Sequence, residues 1–485
     1  MGIVATQSLK NIVSTYLGFF IGAINTLFLY TEFLSDSYYG LVGYMLSLAF
    51  VIMPVMAFGA HNTLVKFYST FKTEALRDSF LTCMLFLPLI VIVFVVTMVY
   101  WGYDAISLFL AQKNEAIKDY LWHTVVAAIS LAYFEVFYAW AKVHMQTVFG
   151  NFMKEVFHRI GVMLLLFSLY LNILDVSQFM FALVCVYVLR MLVMGVYAFN
   201  LRPAKLAFGK LDNLNVILKY AFLIIIAGSV ATMLLDIDKV MLGYYVSIEK
   251  IAYYNVAIFI AAVIAVPQRP MHQILMPLCA QYLNSNNNKA LGLLYKQSSI
   301  NLFIVSGLIF LLIILNINQL YAIIPSAFGG GLLVVILIST AKLYDSLLGS
   351  NNAILFNSDY YRFVLVLGVA LVVLMIALNI KLIPVLGING AGIATFLAIF
   401  LYNTLKLYFV YAKFKMLPFS LKTLQILFVI VVFSLLFYFW DFKFNPFVNI
   451  FLKSTIITVF YSVLVYKLNF SEDITRAIKN TLKLN

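Results

Sequence analysis

Several ionisable side chains of this 485-residue chain stand inside or beside long apolar runs. In hydrocarbon such groups are costly, and they face a partner or a water-filled path. Two kinds of chemistry suit them. The cations Lys342, Lys239 and Arg190, with Arg269 set between Pro267 and Pro270, suit contact with an anionic substrate. Arginine in particular grips phosphate with paired hydrogen bonds. The acids Asp236, Asp238, Glu135, Asp345 and Glu32 suit binding of a coupling proton or sodium ion, and burial raises the proton affinity of such a carboxyl. Asn25, Thr232 and Ser339 add neutral polar groups that would line a cavity.

Each group also has a plainer reading. Asp236 and Lys239 are three apart on one helix face and can neutralise one another. Lys342 can pair in the same way with Asp345, and Glu135 with Lys142. Asn11, Thr15, Gly18, Gly22, Asn25 and Glu32 share one face, and Gly18 with Gly22 forms a GxxxG whose ordinary use is close helix packing. Arg269 could equally be a cytoplasmic anchor.

Other chemistry is excluded. Asp236-Ile237-Asp238 is a DxD string, but on a helix residues two apart point roughly 200° apart and cannot grip one metal. There is no GxxxxGK[ST], so no ATP site, and no HExxH. Glu155 and His158 make a single ExxH where a di-iron bundle needs two. Cys83, Cys185 and Cys279 lie in apolar segments and offer no disulfide or zinc framework. No cofactor or metal is expected. The net charge of +13 is scattered between apolar runs, which speaks against nucleic acid.

The elements that must position these groups are transmembrane helices. Hydrophobic residues make up 64% of the chain and charged residues 11%, far from globular averages. Runs of about 20 apolar residues recur throughout. They predict an all-α polytopic membrane protein of about 14 spans, near 11–33, 38–60, 79–101, 120–141, 159–174, 178–200, 219–244, 251–268, 297–316, 328–349, 361–380, 388–411, 423–440 and 447–467. The first span is too long for a cleavable signal core. With both termini in the cytoplasm, most Lys and Arg fall in cytoplasmic segments. The opposite side has only Lys113, Lys118, Lys239, Lys250, Lys381 and Lys443, while Arg190, Lys342 and Lys453 lie within spans.

Residues 35–54 and 248–267 align without gaps, with Asp36 on Glu249 and Pro54 on Pro267. A repeat of six helices gives two copies of the same orientation, as in transporters with parallel repeats. The expected organisation is a six-helix lobe over 1–205, a second over 206–415, and two further helices with a cytoplasmic tail over 416–485. Such lobes hold a substrate between them and rock to expose it to each side.

Asp238-Lys-Val-Met-Leu-Gly-Tyr-Tyr, continuing through Ile251-Ala-Tyr-Tyr-Asn-Val-Ala, resembles the "D-hydrophobic-LG … GxYxxA" signature of polysaccharide flippases, with Tyr253 where that pattern has Gly. Gly387-Ile-Asn-Gly-Ala-Gly-Ile-Ala-Thr resembles the family's twelfth helix, and Tyr39-Gly-Leu-Val-Gly-Tyr its opening repeat. The family is that of the Wzx-type O-antigen and capsule flippases, in the multidrug/oligosaccharidyl-lipid/polysaccharide (MOP) exporter superfamily. The resemblance implies a MATE-like two-lobed fold. It implies movement of undecaprenyl-diphosphate-linked oligosaccharide across the bacterial inner membrane, for lipopolysaccharide or capsule synthesis. It further implies proton or sodium coupling, no enzymatic activity, and the polysaccharide polymerase machinery as a further partner. Asp238, Leu242, Gly243, Gly387 and Gly390 carry over from the family pattern. A cation-coupled multidrug antiporter and a lipid II flippase are the alternatives within the superfamily.

Overall fold

The computed structural model describes residues 3–482 apart from 210 and 212; the side chain of Thr232 lies outside the described residues. Each of the expected spans falls on a helix. In chain order they are α1 (Lys10–Phe33), α2 (Asp36–Met56), α3 (Glu74–Trp101), α4 (Leu121–Val143), α5 (148–170), α6 (Val176–Leu201), α7 (Leu214–Tyr245), α8 (Glu249–Ala265), α9 (Asn288–Ile323), α10 (Ser326–Leu347), α11 (Tyr361–Leu386), α12 (Ile388–Phe414), α13 (Leu421–Phe437) and α14 (Pro446–Lys467). Among the described residues ten helices are long and apolar enough to cross a membrane alone. Helix α8 with its bent continuation makes an eleventh. The others are shorter in their apolar part or, in α5, carry charge.

Local chemistry sets the ends. The boundary between α5 and α6 is marked by Asn172 in the left-handed region (φ 55°). A capping box follows, in which Asp175 accepts from the Gln178 backbone at 2.7 Å and Gln178 bonds back. Ser420 caps α13 in the same manner, and Asn445 with Pro446 opens α14. Between α11 and α12, Gly387 holds φ 58°, ψ −134°, a conformation open essentially to glycine alone.

Each of the two aligned prolines lies close to a break. After Pro54 the chain turns through Phe58 and Gly59, both left-handed, into a second helix, Ala60–Phe67. At Pro267 the chain bends by 44° into the helix Gln268–Asn284. Proline lacks the donor needed to continue the helical ladder; Pro54 stays inside α2, which ends two residues later at Met56, while Pro267 stands at the bend itself.

The described chain divides into two compact units, 1–255 and 256–485, and the division falls inside α8. In unit 1, α2 packs on α4 and α7, and α4 on α6, while the helix Ala60–Phe67, α3 and α4 share a core of Leu64, Phe80, Met84 and Trp140. Helix α1 lies against α5 through its glycines: a Cβ on Gly18 would run into the Glu155 carbonyl, and one on Gly22 would meet Arg159. In unit 2, α10 and α11 pack on α12, while α9, α13 and α14 share a core of Phe303, Leu311, Ile430, Phe433 and Ile457.

Candidate functional site

Each unit carries its own cluster of intramembrane polar groups. In unit 1, α1 and α5 are both interrupted by π-helical turns, Asn25–Leu29 and Met153–Phe157, a feature frequent at functional sites. Buried Asn25 opens the first and donates its amide to the Arg159 carbonyl at 2.8 Å. Glu135 takes the ammonium of Lys154 from α5. The expected Lys142 partner sits instead over the Tyr138 ring, 3.9 Å from its centroid. Helix α5 starts earlier than the expected span at 159: it begins at Val148 and runs through its π turn, so Lys154 lies on the helix with Arg159. Arg190 on α6 is 4% exposed, with its guanidinium 4.2 Å from the Phe134 ring and 5.1 Å from that of Tyr187.

Helix α7 brings a second set. Lys239 donates to Asp236 at 2.8 Å, and Ser47 of α2 donates to the same carboxylate at 2.8 Å, so this pair is neutralised in place. Asp238, on another face, is buried and accepts the Tyr254 hydroxyl at 2.6 Å. Gly243 of the family pattern has a steric reason: a Cβ there would enter the Tyr44 ring. Glu32, at the end of α1, is exposed.

The starts of α2 and α8, the two segments that align in sequence, meet within unit 1. Tyr253 donates its hydroxyl to Asp36 at 2.8 Å, and Ser37 donates to Glu249. The acid at the matched place in each copy therefore accepts a hydroxyl from the other. Asn114, a loop residue that the sequence reading missed, staples the turn between α7 and α8. It donates to the carbonyls of Gly243 and Val246 and accepts from the Ile248 amide.

In unit 2, Lys406 on α12 is buried, 1% exposed. Its ammonium donates to Asn352 at 2.8 Å and lies 4.2 Å from the Tyr402 ring. Asp345 on α10 is within electrostatic reach of Lys406, His272 and Tyr402. Lys342, one turn earlier and half-buried, makes no ion pair with Asp345 or with any other described residue. Ser339, on the same helix, is fully buried with its hydroxyl unbonded among the described residues. Arg269 is exposed at the start of the helix that follows the Pro267 bend. Outside the spans, a hydrogen bond from Arg202 to Asp78 raises the proton affinity of that guanidinium further.

These helices define a multi-pass membrane protein with a transporter fold. No family model and no curated protein matches the sequence. Solved structures do match the fold. The lipid II flippase MurJ in an inward closed conformation superposes with TM-score 0.73 at 15% identity, covering 96% of this chain and 100% of that one. An inward-facing multidrug resistance MATE transporter of the MOP superfamily gives 0.59 at 12%, covering 88% and 94%. A MATE protein in complex with MaL6 gives 0.56 at 11%, covering 88% and 96%. At such identities the likeness is one of fold.

Proposed function

We propose that the chain is a flippase that moves undecaprenyl-diphosphate-linked oligosaccharide across the bacterial inner membrane, with both termini in the cytoplasm. The observation that carries this reading is Lys342: a half-buried ammonium inside a span, without an ion pair among the described residues. A cation held there at such cost suits an anionic group that arrives and leaves, and a diphosphate is such a group. Arg269 would meet the same headgroup from the cytoplasmic end. Asp345, close to Lys406 and His272 but bonded to neither, is the leading candidate for ion coupling. The reciprocal bonds Tyr253–Asp36 and Ser37–Glu249 would form an outer latch that alternating access must break.

Replacing Lys342 or Arg269 by Ala should block surface polysaccharide while the protein still inserts. Normal glycan output from both variants would remove the site assignment. Likeness to MurJ over the whole chain favours a second reading, a lipid II flippase. Loss of viability and of peptidoglycan synthesis on depletion would select it.

A further inference from the structure

Arg190 presents a problem that the transport reading does not solve. The residue is 4% exposed in the middle of α6. Its Nε is sealed without a hydrogen-bond partner, and its guanidinium makes no ion pair among the described residues. The carboxylates within electrostatic reach are Glu135 and Glu155. Each is already engaged, Glu135 by Lys154 and Glu155 by Arg159 at 3.5 Å. Stacking on Phe134 and Tyr187 recovers only part of what a desolvated cation loses.

The polar side chains beside it are two phenols and an imidazole, each able to donate as well as accept. Tyr187, 4% exposed, lies beside Arg190, and Tyr30, 8% exposed, lies within electrostatic reach of Tyr187. Neither hydroxyl makes a hydrogen bond among the described residues. The His158 ring lies 5.7 Å from that of Tyr187, with its Nδ1 sealed and unpartnered. A guanidinium with up to five N–H groups beside two phenols supplies donors in excess. A buried guanidinium that no carboxylate neutralises among the described residues suits an anionic acceptor.

We infer that unit 1 holds a site for a small monovalent inorganic anion, of the halide class, formed by Arg190 with the hydroxyls of Tyr187 and Tyr30 between α1, α4, α5 and α6. The anion balances Arg190 and locks these four helices together. It is bound independently of any transported substrate.

The test uses the full chain, purified free of lipid-linked substrate. Unfolding temperature is measured at fixed ionic strength while sodium gluconate is exchanged for sodium chloride or bromide. The expected result is a saturable rise of several degrees that is absent in Arg190→Met and weakened at least tenfold in apparent affinity in Tyr187→Phe. Bromide diffraction of the unaltered protein should show an anomalous peak beside Arg190, a readout that needs no variant to fold. Equal melting in gluconate and halide with no bromide peak would overturn the proposal. So would stabilisation by pyrophosphate or a lipid-linked diphosphate but not by halide, which would make the anion the headgroup's own.

Discussion

Asp236 and Lys239 form a self-neutralised pair that Ser47 holds in place. Breaking a buried pair by removing one partner costs about 3–5 kcal/mol, because the other charge is stranded. Asp236→Ala should therefore lower the unfolding temperature sharply, and the double variant with Lys239→Ala should recover most of the loss. A double variant as unstable as the single one would show that the pair is not the unit of stability. Asn114 should be as sensitive for a different reason. It satisfies three backbone groups at the α7–α8 turn, and each buried group left unpaired costs about 1–3 kcal/mol. Asn114→Ala should loosen that turn, read as faster amide exchange at 243–248, while Asn114→Asp should only partly restore it.

The helix pair α1–α5 depends on the absence of side chains at Gly18 and Gly22. Gly18→Val places a methyl-bearing carbon against a backbone carbonyl that cannot move aside. Overpacking costs about 1–3 kcal/mol even where side chains can adjust. The variant should insert yet melt early, whereas Ala at the more forgiving Gly22 should be milder. Equal melting of both would argue against this contact. The latch between α2 and α8 can be tested by trapping it. Cysteines at Ser37 and Glu249 should form a disulfide that stops glycan export and is reversed by reductant. Export that continues in the cross-linked protein would remove the latch from the transport cycle.

Across the whole molecule, the spans were legible because hydrocarbon thickness sets their length and apolar runs report it directly. What the sequence hid is which way a charge turns. Counting Lys and Arg near span ends treats each as an anchor in water, yet Arg159 and Lys406 point inward. A π turn such as Met153–Phe157 shifts the face of everything beyond it, and that shift leaves no mark in hydropathy. Partner choice was hidden for the same reason: Glu135 takes Lys154 from another helix rather than Lys142 on its own.

The proposed movement of a lipid-linked glycan is tested by measuring the lipid-linked pool after deletion of the gene. Deletion should abolish surface polymer and leave undecaprenyl-diphosphate-linked repeat units accumulating on the cytoplasmic face, a defect restored by the unaltered chain and not by Lys342→Ala. Unchanged surface glycan with no trapped intermediate would contradict it.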